Sequence, residues 1–228
     1  MPLGASRAGL MSVAADDIPD SQTLQVHYDA QDVESDQETI TSVSDLSGNG
    51  YDLDASEHGG SEFTYVTDGI NGNPSFELDG GDHLFGPTFS SVGQPYTIYT
   101  VVETFDFDSE AAAVSMNDDG FHQHGHRAES DDGWVVNSST LLNGSTDSNI
   151  AILGGIYDDS DSEIREDGAQ TGSGDAGDGD INSISVGRLR DRDGRYWDGL
   201  IGEVAVWNGI PDIDAVDEYF AEKWDVSI

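Results

Sequence analysis

From Leu24 onward, apolar residues come in short bursts separated by turn formers, and several bursts alternate with polar residues as in an extended strand with one buried face. Leu24 to Tyr28, Phe76 to Leu78, Tyr96 to Val102, Ala111 to Met116, Trp134 to Val136, Asn149 to Tyr157, Ile184 to Gly187 and Leu200 to Trp207 read as strands. Tyr96 to Val102 is β-branched or aromatic at nearly every position, the composition of a strand inside a sheet. Between the runs stand loops such as Asp45-Leu46-Ser47-Gly48-Asn49-Gly50 and Asp79-Gly80-Gly81-Asp82, whose residues tolerate tight turns. Gly172 to Asp180, alternating Gly, Ser and Asp, reads as a flexible loop. One segment has a different period: Ile213, Val216, Phe220 and Trp224 recur at spacings of three and four and share a helical face. Pro211 and Asp212 suit its start, Asp214 and Asp217 its first turn, and Lys223 its last turn, in keeping with the helix dipole. The pattern predicts an all-β protein closed by one C-terminal helix.

Residues 1–21 carry no periodicity, which divides the chain into an arm for docking or assembly (1–21) and a domain (22–228). A length of 228 residues suits one large sandwich. Charge changes the picture more: 46 acids face 8 Lys and Arg, a net charge of −38 spread along the whole chain. Such a surface is screened in molar salt, where the Debye length is ~3 Å, so a high-salt environment explains it more simply than a basic partner. The sign of the field excludes nucleic acid as a partner. There is no cysteine, so disulfides and thiolate metal sites are excluded. No apolar stretch has the length of a membrane span, and none resembles a secretion signal, so membrane insertion is not expected.

The stretches Leu24-Gln25-Val26-His27-Tyr28-Asp29-Ala30, Val43 to Gly50 and Phe76 to Leu84 resemble the opening of laminin-G-like domains. The ending is similar too, with Trp197-Asp198-Gly199-Leu200-Ile201-Gly202-Glu203-Val204-Ala205-Val206-Trp207-Asn208 followed by a helix that closes in Tyr219 to Trp224. The resemblance runs from about Leu24 to Ile228. It implies a two-sheet antiparallel jelly-roll sandwich of the laminin-G and concanavalin type, a fold often used to bind carbohydrate or protein and often carrying calcium at the sheet rim. The arm resembles the start of structural proteins of haloarchaeal viruses.

Three groups of residues carry candidate chemistry. Arg190, Arg192 and Arg195 beside Tyr196 and Trp197 form a candidate ligand-binding segment, since aromatic faces stack on sugar rings and guanidinium forks grip carboxylates. The alternative is that the arginines pair with Asp191 and Asp193 and that Trp197 belongs to the core. Asp118 and Asp119, within Asn117 to Gly120, are candidate calcium ligands comparable in place to the laminin-G rim, and Asp191, Asp193 and Asp198 form a second acidic group. His122, His124 and His126 alternate, so on a strand they share one face about 7 Å apart. They are candidate ligands of a transition metal, best gathered around the axis of a trimer, and otherwise an ordinary polar strand face.

No Glu-x-Asp-x-Glu run places two carboxylates on one strand, as glycoside hydrolysis on this fold would use, so no enzyme is expected from strand geometry. The reading that follows is a non-catalytic recognition protein of a halophilic virion or cell surface. It would bind a host glycan or glycoprotein, meet other virion proteins through its arm and form a homo-oligomer, with a trimer favoured. The alternatives are a capsid or tail decoration protein and, second, a carbohydrate-active hydrolase using acids that converge from different strands.

Overall fold

The computed structural model describes residues 18–33, 39–57, 59–105, 110–116, 122–127, 133–144, 150–189 and 195–228. Among them the chain forms two antiparallel sheets and one α-helix. The first sheet runs, in spatial order, β15 (Ala169–Gly174), β14 (Ser162–Glu166), β13 (Ile150–Tyr157), β8 (Tyr96–Thr104), β17 (Asp198–Trp207), β6 (Ser75–Asp79), β5 (Phe63–Val66) and β2 (Thr39–Ile40), and β1 (Leu24–Asp29) also pairs with β17. The second runs β12 (Leu141–Asn143), β11 (Gly133–Ser138), β10 (His122–Arg127), β9 (Ala111–Ser115), β16 (Ser185–Val186), β7 (Leu84–Phe85), β4 (Leu53–Asp54) and β3 (Ser42–Val43). This is the two-sheet sandwich that the apolar pattern and the resemblance predict.

Strand β8 shows why its composition is β-branched and aromatic. Tyr96, Ile98 and Val102 point into the core between the sheets, while Tyr99 and Val101 join a second core on the outer face. A strand covered on both sides has no solvent face, so even its threonines Thr97, Thr100 and Thr104 are buried. The outer cover is α1 (Ile213–Trp224), whose Val216, Phe220 and Trp224 are fully buried. Asp212 caps it by accepting the amide of Ala215 at 3.4 Å, and Asp225 ends it in the left-handed conformation.

A β-bulge in β17 fixes where α1 sits. The register to β8 shifts between Ile201 and Glu203, leaving Gly202 as the extra residue. Gly202 carries no side chain because the ring of Trp224 lies against it. Glu203, fully buried, meets four donors: Nε2 of His27 at 2.7 Å, the Tyr219 hydroxyl at 2.9 Å, Nζ of Lys223 at 2.9 Å and Nε1 of Trp224 at 2.8 Å. Burial alone would raise its pKa, but the hydrogen bond from His27 and the charge of Lys223 hold the carboxyl below its ordinary value.

Lys223 stands in the last turn of the helix, as expected, and there it is buried and bonded to Asp29 at 2.6 Å as well as to Glu203. Two sequence expectations change. The expected arm of residues 1–21 joins the domain before its end: Ile18 is buried in the outer core and the Pro19 carbonyl accepts Nε1 of Trp207 at 2.9 Å. The Gly172–Asp180 segment, read as a loop from composition, begins inside β15, and Ala176 accepts the amide of Ser138 at 2.7 Å.

The packing of Trp224 on bare backbone gives a direct test. Gly202→Ala should destabilise the domain by about 1–3 kcal/mol, because the added carbon overlaps the indole. Urea unfolding of the two proteins measures it, and equal midpoints would show that Trp224 does not sit there.

Candidate functional site

At one rim of the sandwich β2, β4, β5 and the turn after β6 surround an open groove of about 880 Å³. Its walls are hydroxyls and carboxylates: Thr39, Thr41, Ser56, Ser61 and Thr64, with Asp54, Glu62, Asp79 and Asp82. Phe63, buried in the main core against Phe76, underlies it.

The groove is shaped by local hydrogen bonds rather than by long regular strands. Asp54 closes a turn by accepting the amide of Ser56 at 2.6 Å, and the amide of Ala55 reaches the carbonyl of Thr41 at 2.8 Å. Gly60 passes so close to the carbonyls of Ala55 and His83 that a side chain would sit 3.0 Å from both oxygens. A larger residue would force those carbonyls back by a few tenths of an ångström. Ser61 then ties the walls together: its amide bonds the carbonyl of His83 at 2.8 Å, and its hydroxyl reaches the Gly81 carbonyl at 3.1 Å and Asp82 at 3.4 Å.

Two carboxyls in this groove are pushed in opposite directions. Partial burial raises the pKa of Asp82, against a smaller opposing pull from the amide of Asp79. Hydrogen bonds from the hydroxyl and amide of Ser56 lower that of Asp54. The groove therefore offers one carboxyl that holds its proton longer and one that gives it up sooner, alongside further hydrogen-bonding side chains.

The sequence candidates are distributed differently. Trp197 is fully buried, stacked on Trp134 at 6.1 Å and 5.1 Å from His126, so it is a core residue and not a binding platform. Arg195 is ion-paired with Glu110 at 2.7 Å. Tyr196 lies between His83, at 5.4 Å, and the guanidinium of Arg188, at 5.2 Å. Arg190, Arg192, Asp191, Asp193, Asp118 and Asp119 fall outside the described residues, and Asp198 is on β17 beside Asp79.

The three histidines do share one face of β10, but that face looks into the sandwich. His122, His124 and His126 are at most 1% exposed. His124 bonds the Leu153 carbonyl at 3.1 Å, His126 the Thr104 hydroxyl at 3.2 Å, and His122 packs between Tyr96 and Tyr157. Imidazoles enclosed by the opposite sheet cannot meet copies of themselves around an axis, which corrects the trimer arrangement. Among the described residues no three His, Asp or Glu side chains are grouped to hold a metal ion.

Sequence reasoning missed the groove. Its acids come from three separated segments, and the one signal pointing there was the Asp79-Gly80-Gly81-Asp82 turn.

A β-sandwich with an open, polar, acid-lined groove is the class that fold and site define. No protein-family model matches the sequence, and no curated protein is significantly similar to it. Solved structures are similar in fold. Domain 4 of AbnA, a GH43 extracellular arabinanase from Geobacillus stearothermophilus solved with arabinotriose, superposes with a TM-score of 0.61 at 18% identity, over 86% of this chain and 97% of that one. A GH54 α-L-arabinofuranosidase gives 0.60 at 14% identity, over 78% of this chain and 50% of that one. Trypanosoma rangeli sialidase gives 0.59 at 12% identity, over 88% of this chain and 33% of that one. The chain thus spans about half of the arabinofuranosidase and a third of the sialidase. At these identities the likeness shows the fold. It also overturns the first functional expectation: these neighbours are carbohydrate-active enzymes or their domains, and the virion or host-surface recognition reading has no counterpart among them.

The buried histidines make stability depend on pH. Burial lowers the pKa of His122 to about 3 and that of His124 to about 4. The unfolded chain takes up protons near pH 6.5 that the folded chain refuses, so the stability is intact above that pH and drains as pH falls toward those values. For His122 alone the loss by pH 5 is about 2 kcal/mol. His122→Phe, which keeps a ring between Tyr96 and Tyr157, should lose correspondingly less on going from pH 7 to pH 5 in urea titrations. An identical loss in both proteins would place His122 in water.

Proposed function

We propose that the chain is a carbohydrate-active domain whose rim groove receives an oligosaccharide. The observation that carries this reading is the groove itself, an open channel lined by side chains that accept or exchange hydrogen bonds with hydroxyl groups. A sugar presents adjacent hydroxyls at fixed spacing, and a carboxylate with two oxygens matches that spacing well. The sandwich holds its acceptors on short strands and turns braced by Ser61, which favours a preformed site. The fold shared with the arabinanase domain, the arabinofuranosidase and the sialidase supports the same direction.

Hydrolysis is the second reading, favoured by one observation: Asp82 and Asp54 line the same groove with pKa values moved apart. A carboxyl that holds its proton to higher pH is the better suited of two to act as general acid, and one that ionises sooner to act as base or nucleophile. The two come from different segments, so they could converge without the single-strand motif that the sequence lacks.

Calorimetry with arabinotriose and a panel of other oligosaccharides tests the first reading, and reducing-sugar release tests the second. Binding should weaken at least about tenfold in Asp82→Asn with Glu62→Gln, the loss of two charge-assisted hydrogen bonds. If hydrolysis occurs, Asp54→Asn and Asp82→Asn should each reduce its rate at saturating substrate by a factor of about a hundred or more. Absence of binding to every glycan would overturn the proposal.

A further inference from the structure

The charge of the groove bears on which sugars it accepts. Asp54, Glu62, Asp79 and Asp82 line it, and among the described residues no Lys, Arg or His joins them. Beyond Ser61 and His83 stands Arg188, its guanidinium over the ring of Tyr196, and Arg195 is paired with Glu110. The whole chain adds a net charge of −38 around this site.

We infer that the groove selects neutral, hydroxyl-rich glycans and rejects those carrying carboxylate or sulfate, such as uronate or sialic-acid oligosaccharides. This inference rests on the reading of the groove as a glycan site. The same carboxylates act with opposite sign on the two ligand classes. To a neutral sugar they are acceptors that take hydrogen bonds from adjacent hydroxyls. To an acidic sugar they are like charges within a Debye length of ~10 Å at 0.1 M salt, with no fixed cation on the described wall to compensate. Several exposed repulsions of this kind sum to a discrimination on the order of tenfold in affinity at low salt.

The test is a set of neutral and acidic partners: galactotriose against trigalacturonate, which carries a carboxylate on each sugar, and lactose against sialyllactose, which adds one sialic acid, with arabinotriose as a further neutral ligand. Affinities are measured on the intact chain at 0.1 M and 2 M sodium chloride. The neutral member of any bound pair should be favoured about tenfold at 0.1 M, with the gap closing at 2 M as the repulsion is screened. Glu62→Gln with Asp82→Asn should narrow the gap at 0.1 M, and the salt dependence of the unaltered chain reads the same effect without a variant. An acidic member bound as tightly as its neutral partner at low salt overturns the inference while leaving the glycan site intact. Binding of no glycan at all overturns the site, and the inference with it.

Discussion

The buried carboxylate of Glu203 is the point on which the outer half of the structure depends. A fully enclosed charge is costly unless hydrogen bonds and an opposite charge surround it. Here the partners come from two elements, His27 from β1 and Tyr219, Lys223 and Trp224 from α1, and Glu203 itself stands at the bulge of β17. None can move without leaving the charge uncompensated. The helix is therefore held in one position on the sheet, which hydrophobic packing alone would specify less sharply. Lys223 completes the arrangement by bonding Asp29 as well, and Asp217 adds a second tie through Tyr99 and Arg165. A chain with one lysine has used it inside, where salt cannot screen it.

With the outer face sealed and the inner face filled by aromatic residues and histidines, the rims are left for function. The groove at one rim is built where strands are shortest. Strands of two residues, β2 and β4, end in turns that project Thr41, Asp54 and Ser56 without burying them deeply. Loops carried on a rigid sandwich can vary in chemistry while the fold stays constant. That division explains how neighbours with 10–18% identity share the architecture.

The long strands and the helix were legible in the sequence because they are covered by packing, and packing imposes a period. Tyr96 to Val102 and the Ile213, Val216, Phe220, Trp224 stripe each announce their surroundings. Two-residue strands such as β3 and β4 have no period to show, and β15, rich in Gly, Ser and Thr, has no apolar face. Alternation placed the three histidines on one face but could not say which face, since polarity argues for solvent and only the opposite sheet decides otherwise. The groove acids were hidden by numbers: Asp54, Glu62 and Asp82 do not stand out among 46 acids, and tertiary structure alone brings them together.

The proposal that the groove receives sugar is tested most directly by backbone amide shifts followed by NMR during titration with arabinotriose. Perturbations should concentrate at Thr41, Ala55, Ser56 and Gly60 to Thr64, with Asp79 and Asp82. Saturating shifts confined to Arg188, Arg195 and Tyr196, or to the opposite rim around Asp175 to Asp178, would contradict it.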